Sequence, residues 1–259
     1  MDLGLDGRTA VVTGASKGIG LAITRGLVAE GVHVVAGARA TSAELDALAA
    51  GGAVTPVAVD LATADGPARL VAAAGDAVDI LVNNVGLARP RVDGFLAVTD
   101  EMWQASLNLN LMAAVRATRS VLPIMLARGS GVIVNVGSVN ARLPDPQVID
   151  YSAAKAALLS FAKSLSKEFG GRGIRVNSVA PGPVATDLWL GDDGVAARVS
   201  RASGKSPQDV AAGAAAEMVT GRFTRPDEVA DLVVLLASNR TVNVTGADFG
   251  IDGGLITTI

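Results

Sequence analysis

The chain has 259 residues, 50% of them hydrophobic but only 3% aromatic, with a formal charge of −3 and no cysteine. That length can bury a substantial core without external staples. The missing cysteines exclude disulfides, thiolate nucleophiles and zinc–thiolate sites together and fit a reducing compartment. The single histidine, His33, lies inside the apolar run Val32–Ala36, so neither a histidine triad nor a multi-histidine metal site is expected, and no metal is.

No clustered basic face of the kind nucleic acid demands is visible. Met1 to Asp6 lack the basic-then-apolar pattern of a signal peptide, and no apolar run approaches the roughly 18 residues of a membrane span. A cytoplasmic protein with no membrane and no nucleic-acid partner is expected.

In chain order, short β-rich apolar runs alternate with longer helical patterns, the rhythm of βα units and a parallel sheet. Strands are predicted near 8–13, 32–38, 54–60, 78–83, 131–138 and 174–180, with a seventh near 246–251. Helices end at Gly31, before Gly129 and Gly131, and before Gly170-Gly171. The rhythm breaks between Pro181 and Pro226, where Gly, Asp, Ser and Pro punctuate short helical pieces, and a substrate lobe is expected at about 183–226. The expectation is one α/β domain spanning 1–259, a doubly wound, Rossmann-like parallel sheet of about seven strands.

After the first strand comes Thr13-Gly14-Ala15-Ser16-Lys17-Gly18-Ile19-Gly20, leading into a helix. Glycines here allow a tight turn, backbone approach to a pyrophosphate and close helix–strand contact, while the first helical amides face the anion. The spacing is G-x-x-x-G-x-G rather than G-x-G-x-x-G, and its place between strand and helix supports nucleotide binding through Gly14, Ser16, Lys17, Gly18, Ile19 and Gly20. At the end of the second strand, where an acidic residue would hold the ribose of NAD, stands Gly37-Ala38-Arg39. Arg39 and Lys17 can neutralise a 2'-phosphate, which favours NADP(H). Asp60-Leu61 and Asn84-Val85-Gly86 follow the third and fourth strands on the ligand-binding edge, for the adenine and its ribose.

Ser138 ends the fifth strand, and Tyr151 and Lys155 stand four apart on one face of a helical run. A phenol has an unperturbed pKa of about 10, and a neighbouring ammonium is expected to lower it. Ser138 can donate to a carbonyl oxygen gaining negative charge. Singly each is ordinary helix or turn chemistry; together, downstream of the glycine turn, they describe a carbonyl-polarising site beside a hydride carrier. Asp150, next to Tyr151, is expected to point away, because adjacent helical side chains diverge by about 100°.

Five motifs in order, namely Thr13 to Gly20, Asn83 to Gly86, Ser138, the Tyr151/Lys155 pair and Pro181 to Thr186, make the chain resemble the short-chain dehydrogenase/reductase family over about 6–254, in the manner of its NADP-preferring 3-oxoacyl-carrier-protein reductases. Val85 departs from the family's usual alanine. The resemblance implies that Asn110, rather than Asn108, holds a relay water linked to Lys155. It implies further that Lys155 binds the nicotinamide ribose, that Pro181, Gly182, Val184 and Thr186 lie along the nicotinamide end, and that the protein is a homotetramer. Ile251-Asp252-Gly253-Gly254 resembles the family's C-terminal motif.

The expected function is reversible hydride transfer between NADP(H) and a ketone or secondary alcohol, or a 3-oxoacyl thioester, with Tyr151 as acid or base. Asn140, Leu143, Val148, Leu188, Trp189 and Leu190 flank these segments and are expected to wall the substrate pocket. The alternatives are a non-catalytic NADP-binding redox sensor, which would have lacked the tyrosine, lysine or serine, and a lyase or epimerase, which would leave the cofactor unconverted.

Overall fold

The computed structural model describes residues 1–258. Seven strands alternate with helices: β1 Thr9–Thr13, α1 Gly18–Ala29, β2 His33–Ala38, α2 Ala43–Ala50, β3 Val54–Ala58, α3 Gly66–Ala72 and β4 Ile80–Asn83. There follow α4 Asp100–Leu107, α5 Ala113–Arg128, β5 Gly131–Val136, α6 Ile149–Phe169 and β6 Ile174–Pro181. The chain closes with α7 Asp187–Leu190, α8 Val195–Ser203, α9 Pro207–Ala216, α10 Pro226–Ala237 and β7 Asp248–Ile251. Each predicted strand is present, with ends moved by no more than two residues.

All strands are parallel, in the order β3-β2-β1-β4-β5-β6-β7. The chain winds outward from β1 in one direction and from β4 in the other. The crevice between their carboxyl ends is therefore the topological switch point, where open α/β sheets bind ligands. The interior strands are buried on both faces because helices cover both: Val12, Val34, Ala36 and Val134 pack with α1 and α10 on one side. Val11, Leu81, Ile133 and Val176 pack with α3, α5 and α6 on the other. The edge strands β3 and β7 are only partly covered.

Among the described residues one helix, the continuous Asp100–Arg128, is long and apolar enough by composition to cross a membrane. It is a core helix instead, placing Ala113, Ala117, Val121 and Met125 against the sheet. A π-helical turn over Asn108–Met112 interrupts it between α4 and α5, the kind of irregularity that often marks a functional position. The excursion between β6 and α10 carries α7, α8 and α9, and its two roots are joined by the Val184–Thr224 bridge.

Candidate active site at the switch point

The turn after β1 is folded tightly onto β2, the amides of Gly14 and Ala15 both donating to the Gly37 carbonyl at 2.8 and 3.1 Å. Gly14 and Gly18 have φ of +68° and +53°, conformations that glycine alone adopts without strain. A Cβ on Gly20 would stand 2.1 Å from the Gly14 carbonyl oxygen, so only glycine fits where the turn meets α1. That helix starts with no side-chain cap and no acid in its first turn, leaving its amides and dipole for an anion. Ser16 and Ile19 are half-buried along the turn.

Lys17 and Arg39 are exposed, and neither has a carboxylate partner among the described residues. Two free cations beside a glycine turn fit a dinucleotide with an added phosphate. Asp60 is exposed at the end of β3, its carboxylate accepting from the Ala62 amide at 2.9 Å, and Leu61 is buried beneath it.

Asn84 reaches back to the glycine turn. Its side chain donates to the main-chain carbonyls of Thr13 (2.9 Å) and Gly14 (3.1 Å), while the amides of Asn84 and Val85 donate to the Thr13 hydroxyl at 2.8 and 3.0 Å. It clamps the glycine turn to β4 across the switch point. Asn84 stands at the carboxyl end of β4, its side-chain amide engaged by neighbouring backbone.

Asn110 is 2% exposed in the π-helical turn. Its Oδ1 accepts from the Leu87 amide at 2.8 Å, and its Nδ2 donates to the carbonyls of Leu87 and Ser106, both at 3.1 Å. Asn108 instead accepts from Arg116 at 3.2 Å, away from the site. Between Asn110 and Lys155 stands Gly86: the point where its Cβ would be lies 2.8 Å from Asn110 Oδ1 and 3.3 Å from Lys155 Nζ.

Ser138 lies two residues beyond β5 and caps a short 3-10 turn, accepting from the Asn140 amide at 3.2 Å and donating to Asn140 Oδ1 at 3.1 Å. Asn140 donates in turn to the Leu143 carbonyl at 3.3 Å. Tyr151 and Lys155 lie one turn apart on α6, with Nζ 5.6 Å from the ring centre and donating to the Val136 carbonyl at 2.9 Å. Lys155 is 3% exposed, and burial brings its ammonium down to about 8. Burial raises the Tyr151 phenol above its ordinary value, and a hydrogen bond with Ser138 pulls it part of the way back. Lys155, its ammonium turned to the Val136 carbonyl, is not among the influences on the phenol, of which burial is the largest and Ser138 the second.

The root of the lobe presses on the glycine turn. The Thr186 methyl lies 3.3 Å from where a Cβ on Gly18 would be, and Gly182 packs on the Asp252 backbone while its amide donates to Ile251 at 3.1 Å. Pro181 and Val184 are buried. Of the expected pocket residues, Val148 is buried at the start of α6, Leu143 and Leu190 are exposed, and Leu188 is half-buried in α7. Trp189 stacks edge-on to Phe223, centroids 5.2 Å apart, holding the two ends of the lobe together.

One pair escaped the sequence reading. Asp150, 2% exposed, turns away from Tyr151 as expected, but toward Arg91, whose Nε lies 3.3 Å from Oδ1 and whose Nη2 pairs with Oδ2. The pair ties the loop after β4 to the start of the tyrosine helix. A carboxylate this deeply buried needs such a partner, and no local spacing in the sequence points to Arg91.

A doubly wound sheet with a glycine turn, two free cations and a serine–tyrosine–lysine cluster at its switch point defines a nucleotide-dependent oxidoreductase. Residues 8–192 match the short chain dehydrogenase family, and the chain belongs to it. It is 35% identical over 260 residues to the 3-oxoacyl-[acyl-carrier-protein] reductase of Thermotoga maritima, covering 97% of this chain and 99% of that one. It is 37% identical over 265 residues to the D-threitol dehydrogenase of Mycolicibacterium smegmatis, covering 98% and 94%. Among solved structures it resembles the L-sorbose reductase of Gluconobacter frateurii complexed with NADPH and L-sorbose, with a TM-score of 0.90, 36% identity and full coverage of both chains.

Proposed function

We propose that this protein is an NADP(H)-dependent oxidoreductase interconverting a ketone and a secondary alcohol, with Tyr151 as the general acid and base. The observation that carries the reading is the meeting of Ser138, Tyr151 and a buried Lys155 at the carboxyl edge of β5. The unpaired Lys17 and Arg39 support NADP(H) over NAD(H) through charge complementarity with a 2'-phosphate. The likeness to an NADPH-bound reductase agrees with that choice.

When bound, the reduced nicotinamide supplies a hydride to the substrate carbon. Ser138, held by the Asn140 amide, turns its hydroxyl from Asn140 Oδ1 to donate to the substrate oxygen as negative charge gathers there. Tyr151 gives that oxygen its proton, and Lys155, close to neutrality in its pKa, reloads the phenolate. Gly86 has no side chain to stand between Asn110 Oδ1 and Lys155 Nζ, the two polar atoms nearest the place a Cβ would take, which supports Asn110 as a proton-relay residue. In the oxidative direction the same groups run in reverse. Leu143, Leu188, Trp189 and Leu190 favour a substrate with an apolar portion, as a 3-oxoacyl thioester has, and homotetramer assembly follows the family likeness.

The test is reduced-nicotinamide absorbance with ketones, ketoses and 3-oxoacyl thioesters. Turnover is expected with NADPH well above NADH and is expected to fall at least ~100-fold in Tyr151→Phe, while Arg39→Asp narrows the NADPH advantage. Tight NADPH binding without turnover in either direction would overturn the catalytic reading in favour of a binding protein.

A further inference from the structure

Among the described residues, four buried side-chain atoms have no hydrogen-bond partner: Asn83 Oδ1, Asn135 Nδ2, Ser178 Oγ and Asp248 Oδ2. They form a single row. Asn83 pairs with Asn135, Asn135 with Ser178 and Ser178 with Asp248 in register across β4, β5, β6 and β7. Register partners in a parallel sheet point to the same face, here the side of α5 and α6, two residues above the apolar row Leu81, Ile133 and Val176. Native interiors leave few buried polar groups unsatisfied, and with neighbouring strands about 4.8 Å apart a small partner such as a water could bridge adjacent members of the row, Ser178 and Asp248 among them.

Two members of the row, Ser178 and Asp248, also line two spaces. A cavity of about 10 Å³, near the lower limit for one water, is bounded by Gly137, Ser138, Lys155, Leu158, Ser178 and Asp248 among others. Ser178 and Asp248 are shared with a groove of about 430 Å³ between α6 and β7, which Arg142 and Lys163 also line. Asp248 stands where the two meet, its side chain 7% exposed. Arg142 Nη2 lies 2.6 Å from Asp248 Oδ2 but off the hydrogen-bonding direction, and donates instead to the Asp248 main-chain carbonyl at 3.3 Å.

We propose that Ser178 and Asp248 hold an internal water behind the catalytic residues, and that this water and the Asp248 carboxyl form a proton passage between the groove and Lys155. The inference rests on the relay role given to Lys155 above and is separate from the route at Asn110. In reduction, Lys155 loses a proton to the Tyr151 phenolate and takes one from the water. The water takes one from the Asp248 carboxyl, which recovers it from solvent in the groove. Oxidation runs the steps backward, and protons alone move. Burial raises the Asp248 carboxyl above its ordinary range, against the opposing pull of Arg142, which brings it closer to a proton carrier at neutral pH. The other groups facing the passage are Lys155 and Lys163 from α6 and the Ser178 hydroxyl from β6.

The test measures kcat, its solvent deuterium isotope effect and NADPH affinity for the wild type, Asp248→Asn, Asp248→Glu and Ser178→Ala, with the best ketone of the panel. Asp248→Asn and Ser178→Ala should lower kcat about tenfold, less than Tyr151→Phe because the Asn110 route remains. The isotope effect should rise while NADPH affinity holds. Asp248→Glu should recover most of the rate, and imidazole buffer, small enough for the groove, should rescue Asp248→Asn. A wild-type rate and isotope effect in folded Asp248→Asn overturns the passage, and this near-isosteric variant decides the matter even where Ser178→Ala does not fold. A dry cavity in a high-resolution crystal structure overturns the water. Tyr151→Phe in the same assay separates the failures: activity retained there sinks the functional reading, whereas a dead Tyr151→Phe beside unchanged Asp248→Asn sinks only the passage.

Discussion

Lys155 is the residue at which folding and chemistry pull apart. Its ammonium is buried with one carbonyl partner, and its pKa falls from 10.5 to about 8. A lysine depressed in the folded state destabilises the fold at pH below 8, where it is charged both folded and unfolded, and this penalty fades as pH rises from about 8 toward 10.5. The shift corresponds to ~3 kcal/mol, against which the bond to Val136 contributes about 1 kcal/mol. Lys155→Met should therefore be more stable than the wild type by about 2 kcal/mol at pH 7, with the advantage shrinking above pH 8, and should be inactive. Denaturant melts of both proteins across that pH range check the sign. A less stable Lys155→Met at pH 7 would mean that the buried charge is better solvated than its surroundings imply.

At the scale of elements, the Arg91–Asp150 pair joins the loop after β4 to α6, and so holds the two segments flanking Tyr151 in one frame. Removing one member leaves a buried charge alone, which costs about 3–5 kcal/mol, whereas replacing both by apolar groups of similar volume is close to neutral. Arg91→Ala should lose about 3 kcal/mol and much of its turnover. Arg91→Met with Asp150→Leu should recover most of the stability. A double-mutant cycle by chemical denaturation measures the coupling, and additive losses would show that the pair links nothing. The Asn84 clamp works at the same scale, binding β4 to the turn after β1 through four hydrogen bonds from Asn84 and Val85 to Thr13 and Gly14.

In the whole molecule, the sheet and its two helical layers form one packed body, from which the excursion carrying α7, α8 and α9 projects. Arg201 through Asp209 are all exposed, while the roots of the excursion are held by the Val184–Thr224 bridge and by the Thr220 amide donating to Gly253 at 3.0 Å. Exposed, weakly packed segments open most easily. Trypsin at low ratio should cut first after Arg201 or Lys205 and leave the two fragments associated, which mass spectrometry and gel filtration can follow. First cleavage on α5 or α6 would contradict this order.

Much of the site was legible in the chain because its chemistry is carried by local spacing. The glycine turn, the i,i+4 pair Tyr151/Lys155, Ser138 at a strand end and Arg39 in place of an acid each depend on residues a few positions apart, and each lands at the carboxyl edge of the sheet. The strands were legible for a similar reason: double-sided burial demands continuous apolar runs. What needed the tertiary structure depends on neighbours distant in sequence. Asn84 became a clamp because Thr13 and Gly14 stand beside it, Asp150 found Arg91 59 positions away, and the Tyr151 phenol rose because helices and strands excluded water around it. The row from Asn83 to Asp248 is invisible in one dimension, since it spans four strands and exists only in their register.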